Sequence, residues 1–559
     1  MADVPQTELQ SKLAKLRRDG EERSAQRLAE QLGLPYADLS KTPVSLDAVK
    51  TVPEEDARNG KAAVIEVKSE EVALVAVNPE LPATKKVIKN LEEKKYHVKV
   101  FVVSPSSLEA AFHFYKYIKP QSDDITGKVL ISKNRLEELK SRLTTFEAIK
   151  REITGLDFAK ASPVDIIQII LAGALAVRAS DIHTEAGEKK AKIRLRVDGL
   201  LHDAFAELPL RPLYENFVSR IKLLAGMKLN VHDEAQDGRF TIGLGGKDVE
   251  MRVSVIPAEF GETIVMRILD PQATMVGLQD LGLRPDNLAL VKKELDRPNG
   301  AILNTGPTGS GKTTTLYAFL RSINDPTLKI ITLEDPIEYR IEGVEQTQVD
   351  DEAGYTFANG LRAIVRQDPD VILVGEIRDL ETADIAMQAA LTGHLVFSTL
   401  HTNDAVGAVP RLINLGVKAV SIGPALALVI AQRLVRVLCP HCKKEAAPDA
   451  EISSKIEKFL GRLPAKVDRA SYQNFKLYVP AGCDKCGGVG YRGRVGIFEF
   501  LEGGPELEQA ILKEASEVSL RAVAEKQQMV TMQEDGILKV LAGQTTIEEV
   551  KSVTGEIKW

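Results

Sequence analysis

The stretch Gly306-Pro307-Thr308-Gly309-Ser310-Gly311-Lys312-Thr313 decides the fold of this 559-residue chain. It fits G-x-x-x-x-G-K-[ST], the pattern of a phosphate-binding loop. Glycines let the backbone curl so that successive N–H groups point at phosphate oxygens, and Lys312 can then reach the β- and γ-phosphates. Thr313 is the residue type that holds Mg²⁺ at this position, and Thr314 opens the next helix. A glycine-rich surface turn containing a lysine is the alternative explanation.

The context of this loop indicates an α/β fold. Residues 301–305 read as a short buried strand before it, and residues 314–323 read as a helix whose N-terminal dipole favours phosphate. Further apolar runs follow at 329–333, 371–374 and 395–400. Strands that are apolar throughout are typical of parallel sheets buried on both faces. Ligands of such sheets bind beyond the carboxyl ends of the strands.

Acidic residues follow two of these predicted strands. Glu376 comes after 371–374, where a Walker B acid that holds Mg²⁺ directly or through water would lie. Glu338 or Glu334, after 329–333, could orient and polarise the attacking water. The alternative is that these acids are solvent-exposed loop residues without a function. Several acids beside a phosphate-binding loop favour a functional role instead.

Two histidines, His394 and His401, flank the predicted strand at 395–400. A histidine at a strand end near the γ-phosphate could respond to hydrolysis. A purely structural role is an equal alternative for each of them. A metal site made by these two histidines is disfavoured because no third ligand lies nearby in the sequence.

The four cysteines form two C-x₂-C pairs, Cys439-Pro440-His441-Cys442 and Cys483-Asp484-Lys485-Cys486. Each such turn can aim two thiolates at one tetrahedral Zn²⁺, and a closed four-thiolate site is structural. An iron–sulfur cluster, a redox pair, or replacement of one thiolate by His441 remain alternatives. Close pairs indicate metal in a reducing compartment rather than a disulfide framework.

Composition excludes several classes of function. The chain is 44% hydrophobic and 27% charged, with a net charge of −6, so no basic field argues for nucleic acid. Its apolar stretches are shorter than a membrane-spanning helix requires. The first residues lack a basic segment followed by an apolar core, so we expect no signal peptide. We therefore expect membrane association only through partners.

Two smaller modules precede the loop. The first module begins with a predicted helix at 9–32. It has no visible catalytic group, so we expect a role in docking or regulation. Its other predicted elements are strands 63–67, 72–77 and 98–103 and helices 85–94 and 107–117. A linker at 119–124 and a charged helix at 132–153 follow. The second module is a predicted mixed sheet with an apolar helix ending near Arg178, strands 191–197, 239–244 and 248–256, turns at Asp198-Gly199 and Gly245-Gly246, and a helix at 217–225.

These motifs together resemble a known family from about residue 34 onward: the ATPases of type II secretion and type IV pilus assembly (GspE/PilB type). Residues 306–313 look like its Walker A motif, and 375–379 like its Walker B motif. Residues 334–339 resemble its Asp box, in which Glu338 takes the position of the catalytic glutamate. Residues 391–402, with His394 and His401, resemble its His box, and 179–183 and 236–239 match its second N-terminal domain.

The resemblance implies a domain organisation. We expect a RecA-like P-loop NTPase domain preceded by two smaller α/β (α+β) modules, with a tetracysteine zinc insert. The implied domains are an N-terminal regulatory or docking domain, 1–118; a linker and charged helix, 119–160; a second N-terminal, PAS-like domain, 161–272; and the ATPase domain, 273–559, with the insert at 436–498. Retraction motors of this family usually lack the cysteines and the long first domain, so the chain looks like an extension or secretion motor.

The resemblance also implies function and partners. We expect a cytoplasmic homo-hexamer that uses ATP, Mg²⁺ and Zn²⁺ at the cytoplasmic face of the inner membrane. It would power type IV pilus assembly through a membrane platform protein, or alternatively type II secretion. In a ring, Arg220, Arg239 and Arg267 are candidate arginine fingers. Of the elements that bind a cyclic dinucleotide in some members, only Arg18-Asp19-Gly20 is visible here.

Two other functional classes are less well supported by the sequence. A nucleic-acid motor is disfavoured by the acidic net charge and by the lack of a basic or aromatic stripe. A catalytically idle scaffold is disfavoured by the presence of Lys312, Glu338 and Glu376.

Overall fold

The protein is described by a computed structural model, in which two compact units can be distinguished. The described residues are 6–39, 42, 44–68, 71–94, 96–117, 128–130, 133–158, 161–243, 248–270 and 276–559. The first unit extends to residue 268 and the second begins at 269, with the short stretches 144–146 and 197–200 grouped with the second. The predicted linker at 119–124 and the predicted Gly245-Gly246 turn lie outside the described residues. No helix in the described ranges has both the length and the apolar character needed to span a bilayer.

The helices and strands of both units are numbered in chain order. The helices are α1 (Gln6–Leu32), α2 (Leu46–Val49), α3 (Glu54–Asn59), α4 (Pro82–Glu93), α5 (Pro105–Phe112), α6 (Lys133–Arg142), α7 (Phe146–Thr154), α8 (Pro163–Ala176), α9 (Glu215–Leu224), α10 (Pro285–Leu295), α11 (Lys312–Ile323), α12 (Phe357–Val365), α13 (Leu380–Leu391), α14 (Ala408–Asn414), α15 (Ala419–Ala425), α16 (Ala450–Arg462), α17 (Pro505–Glu514), α18 (Glu517–Lys526), α19 (Met532–Leu541) and α20 (Ile547–Thr554). The strands are β1 (Ala62–Lys68), β2 (Glu71–Ala76), β3 (His97–Val102), β4 (Lys128–Leu130), β5 (Asp181–Ala186), β6 (Lys190–Val197), β7 (Leu200–Pro209), β8 (Gln236–Gly243), β9 (Asp248–Ala258), β10 (Gly261–Leu269), β11 (Gly300–Thr305), β12 (Ile330–Glu334), β13 (Glu345–Gln348), β14 (Val371–Val374), β15 (Leu395–Leu400), β16 (Leu426–Leu438), β17 (Lys444–Ala446), β18 (Leu477–Val479) and β19 (Tyr491–Glu502).

The first unit begins with a small α/β module. Its sheet has the order β1-β2-β3, with β1 antiparallel and β3 parallel to β2. The three strands predicted in this region are confirmed, and α1 packs against β3 and α5. Val64, Leu74 and Val75 are fully buried beneath the helices, so this module has a hydrophobic core of its own.

A seven-stranded sheet forms the second part of the first unit, in the order β4-β8-β9-β10-β5-β6-β7. Residues along β6 alternate between buried and more exposed positions, as expected for a sheet with one face on a core. Asp198 and Gly199 have φ angles of 48° and 92°, which the predicted hairpin turn requires. Arg239 and Arg267, two of the candidate arginine fingers, lie on strands β8 and β10 of this sheet.

Residues 128–154 differ from the sequence-based expectation. The range predicted as a linker and charged helix contributes strand β4, which pairs in parallel with β8. The sequence did not predict this strand because three residues are too few to show a periodic pattern. The single helix predicted at 132–153 is two helices, α6 and α7. Thr144 and Thr145 lie between them, and adjacent β-branched residues with hydroxyls lower helix propensity.

The second unit is built on a sheet with the order β13-β12-β14-β15-β11-β16-β19. Neighbouring strands are parallel from β13 to β16, and β19 is antiparallel to β16. Ala301 and Leu303 belong to one buried cluster and Ile302 to another, because both faces are covered by helices. The strands predicted at 301–305, 329–333, 371–374 and 395–400 are confirmed. The pattern did not predict β13, β16 or β19.

A buried charge cluster holds α19 on β19. Asp535 is fully buried and accepts hydrogen bonds from Arg284 Nη1 at 2.6 Å, Lys539 Nζ at 2.9 Å and the Phe498 backbone N–H at 3.0 Å. Burial of a charge is tolerated when partners of opposite sign surround it. The long β16–β19 pair is therefore fixed on one side by the C-terminal helices.

Candidate functional site

The phosphate-binding loop joins β11 to α11, and close packing explains two of its glycines. Gly306 has φ 154°, and a Cβ there would lie 2.6 Å from the Gln432 carbonyl oxygen and 2.6 Å from Ser310 Oγ. Gly311 has φ 89°, and a Cβ there would lie 2.7 Å from Gln432 Nε2. Real Cβ atoms do not approach that closely, so a side chain at either position would displace the loop.

Lys312 is buried at the first position of α11. Its Nζ donates to the carbonyl oxygens of Gly306 at 2.7 Å and Pro307 at 3.1 Å, so the ammonium lies over the loop. Burial lowers its pKa, the Glu376 carboxylate opposes that shift, and the Arg433 guanidinium adds to it. Thr313 is exposed and Thr314 half-buried on the same first turn of the helix. The loop, the cation and the exposed hydroxyl fit a bound phosphate group and its Mg²⁺.

Parallel pairing brings the ends of the central strands to this loop. Thr305 pairs with Leu400, and Val374 pairs with Ser398 and Leu333, so the loop, Glu376 and His401 follow strands that end at one edge of the sheet. The Glu376 carboxylate contacts the Arg378 guanidinium, and its Oε2 lies 3.2 Å from His401 Nε2. Glu376 is mostly buried and His401 is exposed, so the histidine covers the carboxylate from the solvent side.

The two acids after β12 have different environments. Glu334 is buried and accepts hydrogen bonds from the Tyr317 hydroxyl, from Thr332 Oγ1 at 2.6 Å and from Gln346 Nε2 at 3.2 Å. These contacts hold the Glu334 carboxylate inside the core of the second unit. Glu338 is half-buried four residues further on, and its backbone N–H donates to the same Tyr317 hydroxyl. Tyr317 on α11 therefore ties the loop that carries Glu338 to the helix that starts at Lys312.

The structure does not bring His394 to this edge within one chain. His394 precedes β15 and His401 follows it, so the strand separates them by roughly 20 Å. The His394 ring Nδ1 lies 3.0 Å from the Ala389 carbonyl oxygen at the end of α13, and its backbone carbonyl accepts from Gly300 N–H at 3.1 Å. The residues that flank a strand lie at its two opposite ends, so only His401, which follows β15, reaches the edge where the loop lies.

The three candidate arginine fingers lie in the first unit. Arg220 is half-buried on α9, and Arg239 is exposed on β8 directly across from Arg252 on β9. Arg267 is more than half exposed on β10, and its Nε lies 3.0 Å from Asp181 Oδ1. Arg239 and Arg267 thus point outward from their sheet, although Arg267 already has a carboxylate partner.

Gln432 and Arg433 on β16 also border the loop. Gln432 is buried, and its Oε1 accepts hydrogen bonds from Asn304 Nδ2 at 2.9 Å and Thr315 Oγ1 at 2.8 Å. These bonds join β11, α11 and β16 beneath the loop. The sequence pattern did not single out either residue, because β16 begins within an apolar run that contains Pro424. The signal in the sequence is that the continuous apolar run 426–431 is followed directly by two polar residues, Gln432 and Arg433.

The four cysteines converge at the far end of β16 and β19. These strands are antiparallel, and Leu438 pairs with Tyr491, so the Cys439–Cys442 turn meets the Cys483–Cys486 turn. Their sulfur atoms all lie within 4.8 Å of one another, with Cys439–Cys483 at 3.9 Å and Cys442–Cys486 at 3.8 Å. Tetrahedral zinc with Zn–S bonds of 2.3 Å separates its sulfurs by about 3.8 Å.

The environment of Cys486 also fits a ligand of a metal ion. Burial acts to raise the pKa of Cys486, but the backbone N–H groups of Cys483 and Gly490 lower it to about 7. Both N–H groups lie 3.2 Å from the Cys486 sulfur, which favours thiolate. His441 is exposed and is not part of the cluster. Residues 443–482 between the pairs contain the antiparallel strands β17 and β18, with α16 between them in the chain.

The parallel sheet, the loop between β11 and α11, and the acids beyond the strand ends define a RecA-like P-loop NTPase domain. Residues 159–552 match the family described as type II/IV secretion system protein, and residues 32–118 match the MshEN domain. The chain therefore belongs to the type II/IV secretion system protein family.

Individual relatives agree with this assignment. The chain is 38% identical over 531 residues to the type IV pilus assembly ATPase PilB of Myxococcus xanthus, a match that covers 94% of this chain and 89% of that protein. It is 46% identical over 394 residues to the type II secretion system protein E of Pseudomonas aeruginosa, covering 70% and 76% respectively. The X-ray structure of the Legionella pneumophila ATPase DotB matches with a TM-score of 0.50 and 23% identity, over 70% of this chain and 96% of DotB. That last similarity supports the fold alone.

The cysteine geometry predicts one tightly held zinc ion per chain. Elemental analysis of protein purified without added metal should find zinc at about one equivalent. Cys442→Ser should lose most of the metal and lower the melting temperature, because three ligands hold zinc less tightly. Ser454→Ala, an exposed substitution on α16 between the two cysteine pairs, is the control and should keep the metal. Iron, or four freely titratable thiols without metal, would contradict the assignment.

Proposed function

We propose that this protein is a cytoplasmic, hexameric ATPase that powers type IV pilus assembly through an inner-membrane platform protein. The observation that carries the proposal is the match to a type IV pilus assembly ATPase along 94% of the chain. That match includes the N-terminal module as well as the ATPase domain. On this proposal the protein reaches the inner membrane through its partners.

A type II secretion ATPase that extends a pseudopilus is the second candidate. It is favoured by the higher identity, 46%, to a type II secretion system protein E, although that match covers 70% of the chain. Both candidates use the same ATP-hydrolysing domain. They differ in the machinery on which the motor acts.

The geometry suggests a role for each residue at the loop. Lys312 and the loop N–H groups would hold the phosphates, while Thr313 and Glu376 would hold Mg²⁺, which neutralises charge on the β- and γ-phosphates. Glu338 would orient and polarise the attacking water, since Glu334 is engaged in the core. His401 lies beside Glu376, where it would respond to hydrolysis of the γ-phosphate. The four cysteines would hold a structural Zn²⁺.

Assembly into a ring would complete the site. Arg239 and Arg267 lie on the outer face of a sheet in the first unit, and Arg220 lies on α9 of that unit. We propose that one or more of them reaches the γ-phosphate bound to a neighbouring chain. An arginine finger supplied in this way contributes about 10³-fold or more to turnover in other NTPases.

The roles of Lys312 and Glu338 predict different defects. Lys312→Ala should abolish hydrolysis and strongly weaken ATP binding, because the loop loses its cation. Glu338→Gln should keep ATP affinity while turnover falls by roughly 10²- to 10⁴-fold, the range lost with a general base. Nucleotide affinity and turnover of each purified variant, with Glu352→Gln as an exposed acidic control, would show this separation. A Glu338→Gln protein with normal turnover would remove Glu338 from the mechanism.

The ring proposal predicts that hydrolysis rises more steeply than linearly with protein concentration. Arg239→Ala should lower turnover, and adding excess Lys312→Ala chains, whose arginines are intact, should partly restore it. Restoration is expected because each mutant supplies the group that the other lacks. Strictly linear activity from a particle that light scattering shows to be monomeric with ATP would contradict the ring.

A gene deletion distinguishes the two candidate machines. In the bacterium that carries this gene, deletion should abolish surface pili and leave secreted enzymes in the medium at their normal level. Complementation with Glu338→Gln should fail, while the wild-type gene restores pili. Normal piliation together with periplasmic retention of secreted enzymes would establish type II secretion instead.

A further inference from the structure

Strand β16 continues past the end of β11 and forms a wall beside the phosphate-binding loop. The β11–β16 pairing ends at Thr305 and Ala431, so the next residues of β16 flank the loop. A Cβ on Gly306 would lie 3.1 Å from Arg433 Nη1. The Arg433 guanidinium therefore lies beside the first residue of the loop of its own chain.

Arg433 has only neutral hydrogen-bond acceptors around it. Its Nη1 donates to the Gln432 carbonyl oxygen at 3.1 Å, and its Nη2 lies 3.1 Å from the Asn403 carbonyl oxygen and 3.4 Å from Asn403 Oδ1. In the ranges that the structure describes, no carboxylate oxygen lies within 4.0 Å of this guanidinium. Burial lowers its pKa, and only the more distant charges of Glu499 and Asp404 oppose that shift.

Arg436, three residues further along β16, shows what a structural arginine looks like in this protein. Its Nη2 pairs with Glu549 Oε1 at 2.5 Å, and its guanidinium lies 4.0 Å from the centre of the Tyr491 ring. Arg436 thus has both a counter-ion and an aromatic surface. Arg433, on the same strand, has neither contact.

A buried hydroxyl lies next to the Arg433 guanidinium. Ser310 is 4% exposed, and its Oγ has no hydrogen-bond partner among the described residues. Both groups lie close to the position that a Cβ on Gly306 would occupy. Ser310 Oγ is 2.6 Å from that position, and Arg433 Nη1 is 3.1 Å from it. A buried donor without a partner is costly, so a hydroxyl and a guanidinium that converge here indicate an anionic oxygen as the ligand.

The charges at the loop support the same ligand. Lys312 and Arg433 are close enough for Arg433 to lower the pKa of Lys312. An anion bound beside both cations would offset their mutual repulsion and stabilise the charged form of each. Glu376 offsets part of the repulsion, but its carboxylate already contacts Arg378 and His401.

We propose that Arg433 is a second, same-chain ligand for the nucleotide's phosphate groups, with Ser310 as an additional donor. This inference rests on the proposed function and adds to it a phosphate-binding residue that belongs to neither the loop nor a neighbouring chain. The competing explanation is a purely structural role, in which Arg433 is a strut that joins β16 to the loop containing Asn403. Loss of a strut would lower the stability of the fold, whereas loss of a phosphate ligand would lower the affinity for the phosphate groups themselves.

The test measures phosphate binding by the full-length protein. Arg433→Met and the exposed control Arg411→Met would each compete against a fluorescent nucleotide with Mg²⁺-ATP, Mg²⁺-ADP and Mg²⁺-tripolyphosphate. Arg433→Met should weaken all three by roughly 10- to 100-fold, the value of a charge-assisted hydrogen bond, and Arg411→Met should match the wild type. Arg433→Lys should fall between them, because an ammonium cannot form the bidentate fork.

Two outcomes separate this inference from the proposed function. Unchanged tripolyphosphate affinity in Arg433→Met, with a lower melting temperature in the absence of nucleotide, would make Arg433 a strut and overturn the inference alone. A wild-type protein that binds no nucleotide would overturn the proposed function. If Arg433→Met does not fold, wild-type protein labelled with phenylglyoxal provides the measurement. Mg²⁺-tripolyphosphate should protect Arg433 but not Arg411, and equal labelling of Arg433 with and without it would overturn the inference.

Discussion

Parallel pairing of four neighbouring strands is the constraint on which the nucleotide site depends. Because β12, β14, β15 and β11 run in one direction, their carboxyl ends share one edge, and the residues that follow each strand meet there. The pairing holds because both faces of the sheet are buried, with successive residues of β11 contributing to two different hydrophobic clusters. The polar residues within these strands, such as Asn304 and Thr332, are buried and hydrogen-bonded to neighbouring side chains. The chemistry is therefore confined to the residues just beyond the strand ends.

The antiparallel β16–β19 pair connects the two sites of the second unit. One part of β16 lies beside the phosphate-binding loop through Gln432 and Arg433, and its end leads directly into Cys439. The ladder runs from Leu428 and Glu502 to Leu438 and Tyr491 without changing partner. A metal ion that closes the cysteine cluster would therefore fix the far end of the strand that forms the wall of the loop. This gives a structural metal a physical connection to the nucleotide site without any direct contact.

Hydrogen bonding separates the acids that the sequence placed together. Glu334 is enclosed by Tyr317, Thr332 and Gln346, and a carboxylate with that many donors is held in one position. Glu338 lies on the loop beyond it, tied through its backbone to Tyr317. Tyr317 also packs edge-on against Tyr339, with ring centroids 4.6 Å apart. The same helix that begins at Lys312 therefore positions the loop that carries Glu338.

The sequence by itself determined the loop, the four apolar strands around it and the pairing of cysteines, because each of these depends on neighbouring residues and on the local backbone they allow. The tertiary structure decided which histidine lies near Glu376, since His394 and His401 are separated by the full length of β15. It also decided that Gln432 lies under the loop, bonded to Asn304, which is 128 positions away. Contacts between residues so far apart in the sequence depend on strand order and register. The residue pattern of a single segment determines neither of these. Two polar residues on a single strand, Arg433 and Arg436, thus acquire different surroundings although their local sequences look alike.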